Sequence, residues 1–260
     1  MKIGIYDSGI GGLSVLHRAK KMLPDAEFVY YADEEHVPYG EKKRSDIKRY
    51  VKEILDFLIE QGVDAVVIAC NTATSVAEKE FRNTFSVPIV GMEPAVKKAL
   101  EIKKEKEKRV LVTATPVTIT GQKLSHLLEE VDTEQEVDLL PLRMLVRYAE
   151  TTNFANPEID AYLKEEFASL DTEKYESVVL GCTHFNYFKK HLRRALSDEV
   201  HFVDGNEGTI RQLMRVMPEE QNPYIKGKVT YYFSGKEVNE EEYKKIERCL
   251  QQLDEMYDIV

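Results

Sequence analysis

The chain predicts an α/β fold built as two related units, with mainly parallel sheets flanked by helices. Three observations carry this. Short β-branched runs alternate with amphipathic stretches along most of the 260 residues, the pattern of an α/β protein with buried parallel strands. A segment recurs at an offset of 112 residues. Aligning Val51 with Leu163 brings Val66-Val67-Ile68-Ala69-Cys70 onto Val178-Val179-Leu180-Gly181-Cys182, and Asn71-Thr72 onto Thr183-His184. Finally, the chemically distinctive residues cluster just after apolar runs, where open parallel sheets bind their ligands.

In chain order, Ile3-Gly4-Ile5-Tyr6 reads as the first strand and Phe28-Val29-Tyr30-Tyr31 as the second. Ile47, Tyr50, Val51, Ile54, Leu55 and Leu58 then fall on one face of a helix, with Ser45 as its candidate cap. Ala65-Val66-Val67-Ile68-Ala69 and Val87-Pro88-Ile89-Val90 follow as strands, and the first unit gives way near Gly91-Met92-Glu93-Pro94. A charged helix ending in Lys103-Lys104-Glu105-Lys106-Glu107-Lys108-Arg109 comes next. Glutamates interrupt its basic run, which suits a solvated face better than a binding patch. Val110-Leu111-Val112, Val178-Val179-Leu180 and Val200-His201-Phe202-Val203 supply strands of the second unit, which closes near Asp204-Gly205. A helix, a strand around Val229-Thr230-Tyr231-Tyr232-Phe233 and a last helix from Asn239 remain. A tail returning to the first unit makes that unit discontinuous. The expected domains are therefore 1–92 with 206–260, and 93–205.

The composition, 43% hydrophobic and 32% charged, is that of a globular chain. Lys and Arg number 36 against 46 Asp and Glu, a net charge of −10, which disfavours nucleic acid and anionic membrane surfaces as partners. No run approaches the roughly 18 apolar residues of a membrane span, and the N-terminus reaches Asp7 too soon for a signal peptide. Three cysteines are far from a disulfide scaffold and suit a reducing cytoplasmic compartment.

Three clusters at strand ends carry chemistry. Asp7-Ser8-Gly9-Ile10-Gly11-Gly12 is a glycine-rich turn before a helix, suited to a carboxylate or phosphate. It lacks the third glycine of a dinucleotide fingerprint, since Ser14 stands there, and the Lys-Ser/Thr of a phosphate loop. Asp7 is costly among anion donors unless it has a task or a partner. The other clusters are Cys70-Asn71-Thr72-Ala73-Thr74 and Gly181-Cys182-Thr183-His184. A single strand-end cysteine is usually a small buried hydrophobe, but two at matched positions of a repeat are harder to dismiss. Each precedes an expected helix start, which lowers a thiol pKa from its reference of about 8.5. Facing units would bring the two thiols to one ligand from opposite sides, the geometry of a two-base proton transfer. A zinc site of Cys70, Cys182 and His184 is the competing reading, without the spacing of strong zinc motifs. Cys249, on an apolar helix stripe, reads as structural.

Four motifs keep the order of a known family: Asp7-Ser8-Gly9-Ile10-Gly11-Gly12-Leu13-Ser14, Val37-Pro38-Tyr39-Gly40-Glu41-Lys42, Ala69-Cys70-Asn71-Thr72-Ala73 and Gly181-Cys182-Thr183-His184-Phe185. Together they resemble the cofactor-independent aspartate/glutamate racemase family, and within it the glutamate racemases. The resemblance implies two α/β domains with the active site between them, commonly in a homodimer. It implies interconversion of L- and D-glutamate without cofactor or metal, supplying D-glutamate for peptidoglycan. Carried over by position, Cys70 and Cys182 become the acid/base pair. Cys70 takes the α-proton of D-glutamate, assisted by Asp7, and Cys182 that of L-glutamate, assisted by His184. Ser8, Tyr39, Gly40, Asn71, Thr72 and Thr183 hold the substrate, with Thr115 and Thr118 in a less specific stretch.

The chain departs from the family pattern at three places. Arg147 follows Leu145-Val146 where the family carries an assisting glutamate, and Glu150 comes one helical turn later. Gly121 stands where serine is common, and Asn186 replaces a usual proline. These departures leave open a racemase of aspartate, or of both acidic amino acids, and a non-catalytic ligand-binding relative. The presence of both cysteines argues against the decarboxylases and isomerases of the family that use only one.

Overall fold

The computed structural model describes residues 1–77, 79–217 and 227–260. Within the expected discontinuous domain, positions 78 and 218–226 lie outside the described residues. Strands β1 (Lys2–Asp7), β2 (Glu27–Ala32), β3 (Ala65–Ile68) and β4 (Ile89–Gly91) are parallel, in the order β2-β1-β3-β4. Strands β5 (Arg109–Ala114), β6 (Val137–Pro141), β7 (Tyr175–Leu180) and β8 (His201–Val203) form a second parallel sheet, ordered β6-β5-β7-β8. The two orders correspond strand for strand, so the repeat extends from sequence to topology. The first sheet is lengthened by β9 (Val229–Phe233), parallel to β2, and β10 (Lys236–Glu237), antiparallel to β9. The tail thus returns to the first sheet. In each sheet the winding reverses between the first strand and the third, β1/β3 and β5/β7. Ligands of open α/β sheets bind in the crevice beyond the carboxyl ends at such a reversal.

The helix Arg44–Glu60 buries Ile47, Tyr50, Val51, Ile54, Leu55 and Leu58, the six positions that its periodicity selects. Burial of each contributes about 1.5–3 kcal/mol. It begins two residues earlier than a Ser45 cap requires: Lys43 is the N-cap and offers no capping side chain. The charged helix before β5 is also shorter than expected. It ends at Ile102, and the basic run beyond is held by ion pairs from Lys103 to Glu136 and from Arg109 to Asp138. The last helix, Glu240–Met256, starts behind Asn239, whose side chain and that of Glu242 form a reciprocal capping box. Cys249 is fully buried on it beside Ile246 and Leu253. Strand β6 went unanticipated because none of its residues is fully buried. Among the described residues, no helix is long and apolar enough to cross a membrane.

Candidate active site

The carboxyl ends of β1, β3, β5 and β7 deliver the predicted residues to one place. Asp7 closes β1 and is followed by Ser8, Gly9 and a 3-10 turn, Ile10–Gly12. Cys70 is the N-cap of the short helix Asn71–Val76, and its Sγ accepts from Ala73 N at 3.4 Å. The same thiol donates to Ser8 Oγ at 3.5 Å. Burial pushes the Cys70 thiol up to about 12, aided by the charge of Asp7 and opposed by Ser8 and the Ala73 amide. The sequence led us to expect a lowered value at a helix start. Here desolvation outweighs the helix end, so Cys70 rests as a protonated thiol.

Cys182 follows β7 as N-cap of the 3-10 segment Thr183–Phe188. Its Sγ lies 3.7 Å from His184 Nδ1, and His184 Nε2 lies 2.7 Å from Glu150 Oε1. The same carboxylate oxygen accepts from Ile10 N at 3.0 Å. Burial alone would discharge His184, but hydrogen bonds and negative charge from Cys182 and Glu150 outweigh it and hold its pKa well above the usual value. Burial likewise pushes Glu150 up, yet His184, Lys245 and the Ile10 amide bring it below the usual carboxylate range. The pair is therefore imidazolium and carboxylate. Glu150, one helical turn after Arg147, is the carboxylate that reaches His184. Arg147 itself points to Glu41, with bonds of 2.6 and 3.1 Å.

The two halves meet through these turns. Asp7 accepts from Gly9 N at 3.1 Å and from Thr183 Oγ1 of the other half at 3.0 Å. Asp7 acts on Cys70 through its charge, while its hydrogen bonds reach Gly9 and Thr183. Burial pushes the Asp7 carboxyl up to about 6, against the opposing effects of His184, Gly9 N and Thr183. Gly11 permits the approach, because a Cβ there would collide with His184 Nδ1 and Thr183 Oγ1. Across the same seam, Thr72 Oγ1 lies 2.8 Å from Thr115 Oγ1 and 3.3 Å from Thr118 Oγ1. A Cβ on Gly40 would come within 2.9 Å of Thr115 Cβ.

Ser8, Asn71, Thr72 and Thr183 are all buried, and Asn71 Oδ1 is a buried acceptor with no hydrogen-bond partner among the described residues. The Tyr39 hydroxyl receives a bond from Tyr6 at 2.7 Å and donates to Asp33, which leaves its backbone, next to Gly40, as the part free to meet a ligand. Among the described residues no three His, Cys, Asp or Glu side chains converge to hold a metal ion, which leaves the zinc reading without a ligand set. Asp33, Glu34 and Lys245 were not singled out from the sequence; no local pattern marks them.

The chain has full-length relatives among known proteins. Residues 13–213 match the family model described as Asp/Glu/Hydantoin racemase. A glutamate racemase of Campylobacter curvus is 49% identical over 100% of both chains. "Glutamate racemase 2" of Bacillus subtilis is 43% identical, covering 98% of this chain and 97% of its own. The solved structure of Escherichia coli glutamate racemase, in complex with L-glutamate and the activator UDP-MurNAc-Ala, superposes with a TM-score of 0.79 at 26% identity, covering 98% and 94% of the two chains. With most of its length matched by the family model and full-length relatives this similar, the chain belongs to the Asp/Glu/hydantoin racemase family and is a racemase.

Proposed function

We propose that the chain interconverts L- and D-glutamate by moving the α-proton between two thiols, with no cofactor, and so supplies D-glutamate for peptidoglycan. The observation that carries this reading is the matched pair of buried cysteines at the ends of β3 and β7, each beside its own polar partner. In the L-to-D direction, a Cys182 thiolate takes the α-proton; the C–H bond breaks, its electron pair stays on the α-carbon, and an S–H bond forms. The Cys70 thiol then gives its proton to the opposite face. The imidazolium of His184 is the counter-charge for a thiolate at Cys182. Cys70, held protonated by burial, is a ready donor. The reverse direction exchanges the roles.

An α-proton is a very weak acid, so the developing carbanion needs stabilisation by fixed donors, each tenfold in rate needing about 1.36 kcal/mol. Hydroxyls of Ser8, Thr72 and Thr183 and backbone amides of the glycine turns suit the two carboxylates. The unpartnered Asn71 Oδ1 suits the α-ammonium group. The same reading takes residues 1–92 with 206–260, and 93–205, as the two domains, and expects a cytoplasmic homodimer, which sedimentation of the purified chain checks.

The decisive experiment incubates the protein in D₂O, without added cofactor, with each enantiomer of glutamate and of aspartate. Deuterium at the α-carbon and optical inversion with glutamate are expected. No exchange with any of the four overturns the racemase reading, and exchange with aspartate alone replaces its substrate. Cys70→Ser and Cys182→Ser should each abolish inversion, whereas full activity of either variant would leave the two-thiol scheme without support.

A further inference from the structure

The Cys182 half of the site is backed by a group that the sequence places far away. Lys245, on the Glu240–Met256 helix, sets its Nζ 2.6 Å from Glu34 Oε1 and 3.6 Å from Glu150 Oε2. Glu34 follows β2, and Glu150 ends the helix Met144–Glu150 of the other half. The other Glu150 oxygen, Oε1, is shared by His184 Nε2 and Ile10 N. The carboxylate is thus gripped on one oxygen by the catalytic histidine and a backbone amide, and on the other by an ammonium.

We propose that Lys245 is a positioning residue for the racemase reaction: bridging Glu34 and Glu150, it fixes the Glu150 carboxylate so that Oε1 faces His184. The proposal rests on the racemase reading above. Its physical content is the separation of two carboxylates. Glu34 and Glu150 each sit mostly out of water, with side chains 25% and 16% exposed. Without the ammonium they oppose each other directly, and like charges in a dry setting favour protonation of one of them. A protonated Glu150 is a weaker counter-charge for His184, which then loses its proton more readily and no longer supports a thiolate at Cys182.

The charges facing Glu150 from the elements packed around it are His184 and Lys245 on the positive side, and Asp7 and Glu34 on the negative. Cys249, Tyr30 and Tyr187 are also close, and burial pushes the pKa of each upward, which keeps them neutral. Lys245 itself stays an ammonium: burial works against its charge, but Glu150 and Glu34 more than compensate. With its pKa raised and that of Glu150 lowered, the pair is fully charged across the neutral range and fails on the acid side as Glu150 takes up a proton.

Wild-type exchange of the glutamate α-proton in D₂O first establishes the reaction; its absence would sink the racemase reading rather than this one. Given that exchange, Lys245→Met should lower kcat about tenfold, equivalent to ~1.4 kcal/mol, with a much smaller change in KM, because Lys245 touches no substrate. The acid limb of the kcat profile should move to higher pH. The factor lost in kcat/KM must be the same in both directions, because the two enantiomers have equal free energy, while the losses in kcat need not match. Lys245→Arg should restore the limb. Glu34→Gln placed on Lys245→Met should recover part of the loss by removing the opposing carboxylate, which a merely structural lysine would not show. Wild-type kcat and an unmoved acid limb in Lys245→Met overturn the proposal, as does a loss that neither Lys245→Arg nor Glu34→Gln repairs. If Lys245→Met does not fold, Glu34→Gln alone decides. Freeing Lys245 for Glu150 should carry the acid limb to lower pH, and an unmoved limb overturns the proposal.

Discussion

Asp7 lies wholly buried at the end of β1, where an ionised carboxylate loses its hydration. Folding raises its pKa from 3.8 to about 6, so in that window the native state keeps a proton that the unfolded chain has released. Stability therefore falls as pH rises from 3.8 to about 6, and the full cost persists above it. Asp7→Asn keeps an acceptor for Gly9 N and a partner for Thr183 Oγ1 while removing the charge. It should stabilise the protein by up to about 3 kcal/mol near neutral pH, with the gain gone below about pH 4, and it should slow racemisation. Thermal melts at the two pH values check this; an equal gain at both would refute the electrostatic origin. Glu150 and Arg147 make the complementary case. Glu150→Gln removes the countercharge of His184 and should cost at least about 100-fold in kcat, the lower range for acid–base groups. Arg147→Ala breaks only an exposed pair with Glu41, its side chain 53% exposed, worth about 0–1 kcal/mol. Steady-state racemisation of both variants should show a large loss in the first and a small one in the second.

The helix Arg44–Glu60 is the element most legible in the sequence, because its six buried positions repeat at helical spacing and depend on nothing distant. Leu55, fully buried on it, packs in the cluster of Val66 and Ile68 on the face of the first sheet. Leu55→Ala should cost about 2–5 kcal/mol in denaturant melts while leaving kcat of the folded fraction unchanged, since the apolar side chain of Leu55 takes no part in the site's hydrogen bonds. A loss of kcat without a loss of stability would contradict this division of labour. Strand β6 lacks such a local signal: partly exposed along its length, it is broken by Asp138 and closed by Pro141, with Val137 its one β-branched residue. The Ser45 cap failed for a related reason, since periodicity fixes a helix face more firmly than its first residue. At the site, Cys70, Cys182, Asp7 and His184 were legible because each lies at, or within one turn of, the carboxyl end of a strand. Lys245 was not, because its partners Glu34 and Glu150 lie 211 and 95 positions away and meet it only once the tail has returned.

The internal repeat suggests two units that fold side by side, yet the packing joins them. One continuous buried cluster takes in Ile5, Tyr30 and Val67 of the first sheet and Leu111, Val178 and Phe202 of the second. Ile246, Cys249 and Leu253 of the last helix belong to it as well. That helix also bonds across to the second half: Gln252 donates to Tyr187 O at 2.9 Å, and Lys190 pairs with Glu255 at 2.8 Å. The polar seam adds the Asp7–Thr183 and Glu150–Ile10 bonds. Unfolding one sheet alone would expose the cluster face of the other, separate Asp7 from Thr183, and take Ile10 N and Lys245 from Glu150. Such a half-unfolded state loses far more than a small exposed interface would, so the chain should unfold in one transition. Hydrogen exchange read by mass spectrometry across a guanidinium series tests this. The β1 and β7 amides should share one midpoint and one denaturant dependence. Separate midpoints would mean that the two halves stand independently, and that the seam carrying both thiols is a docking contact between separately stable domains.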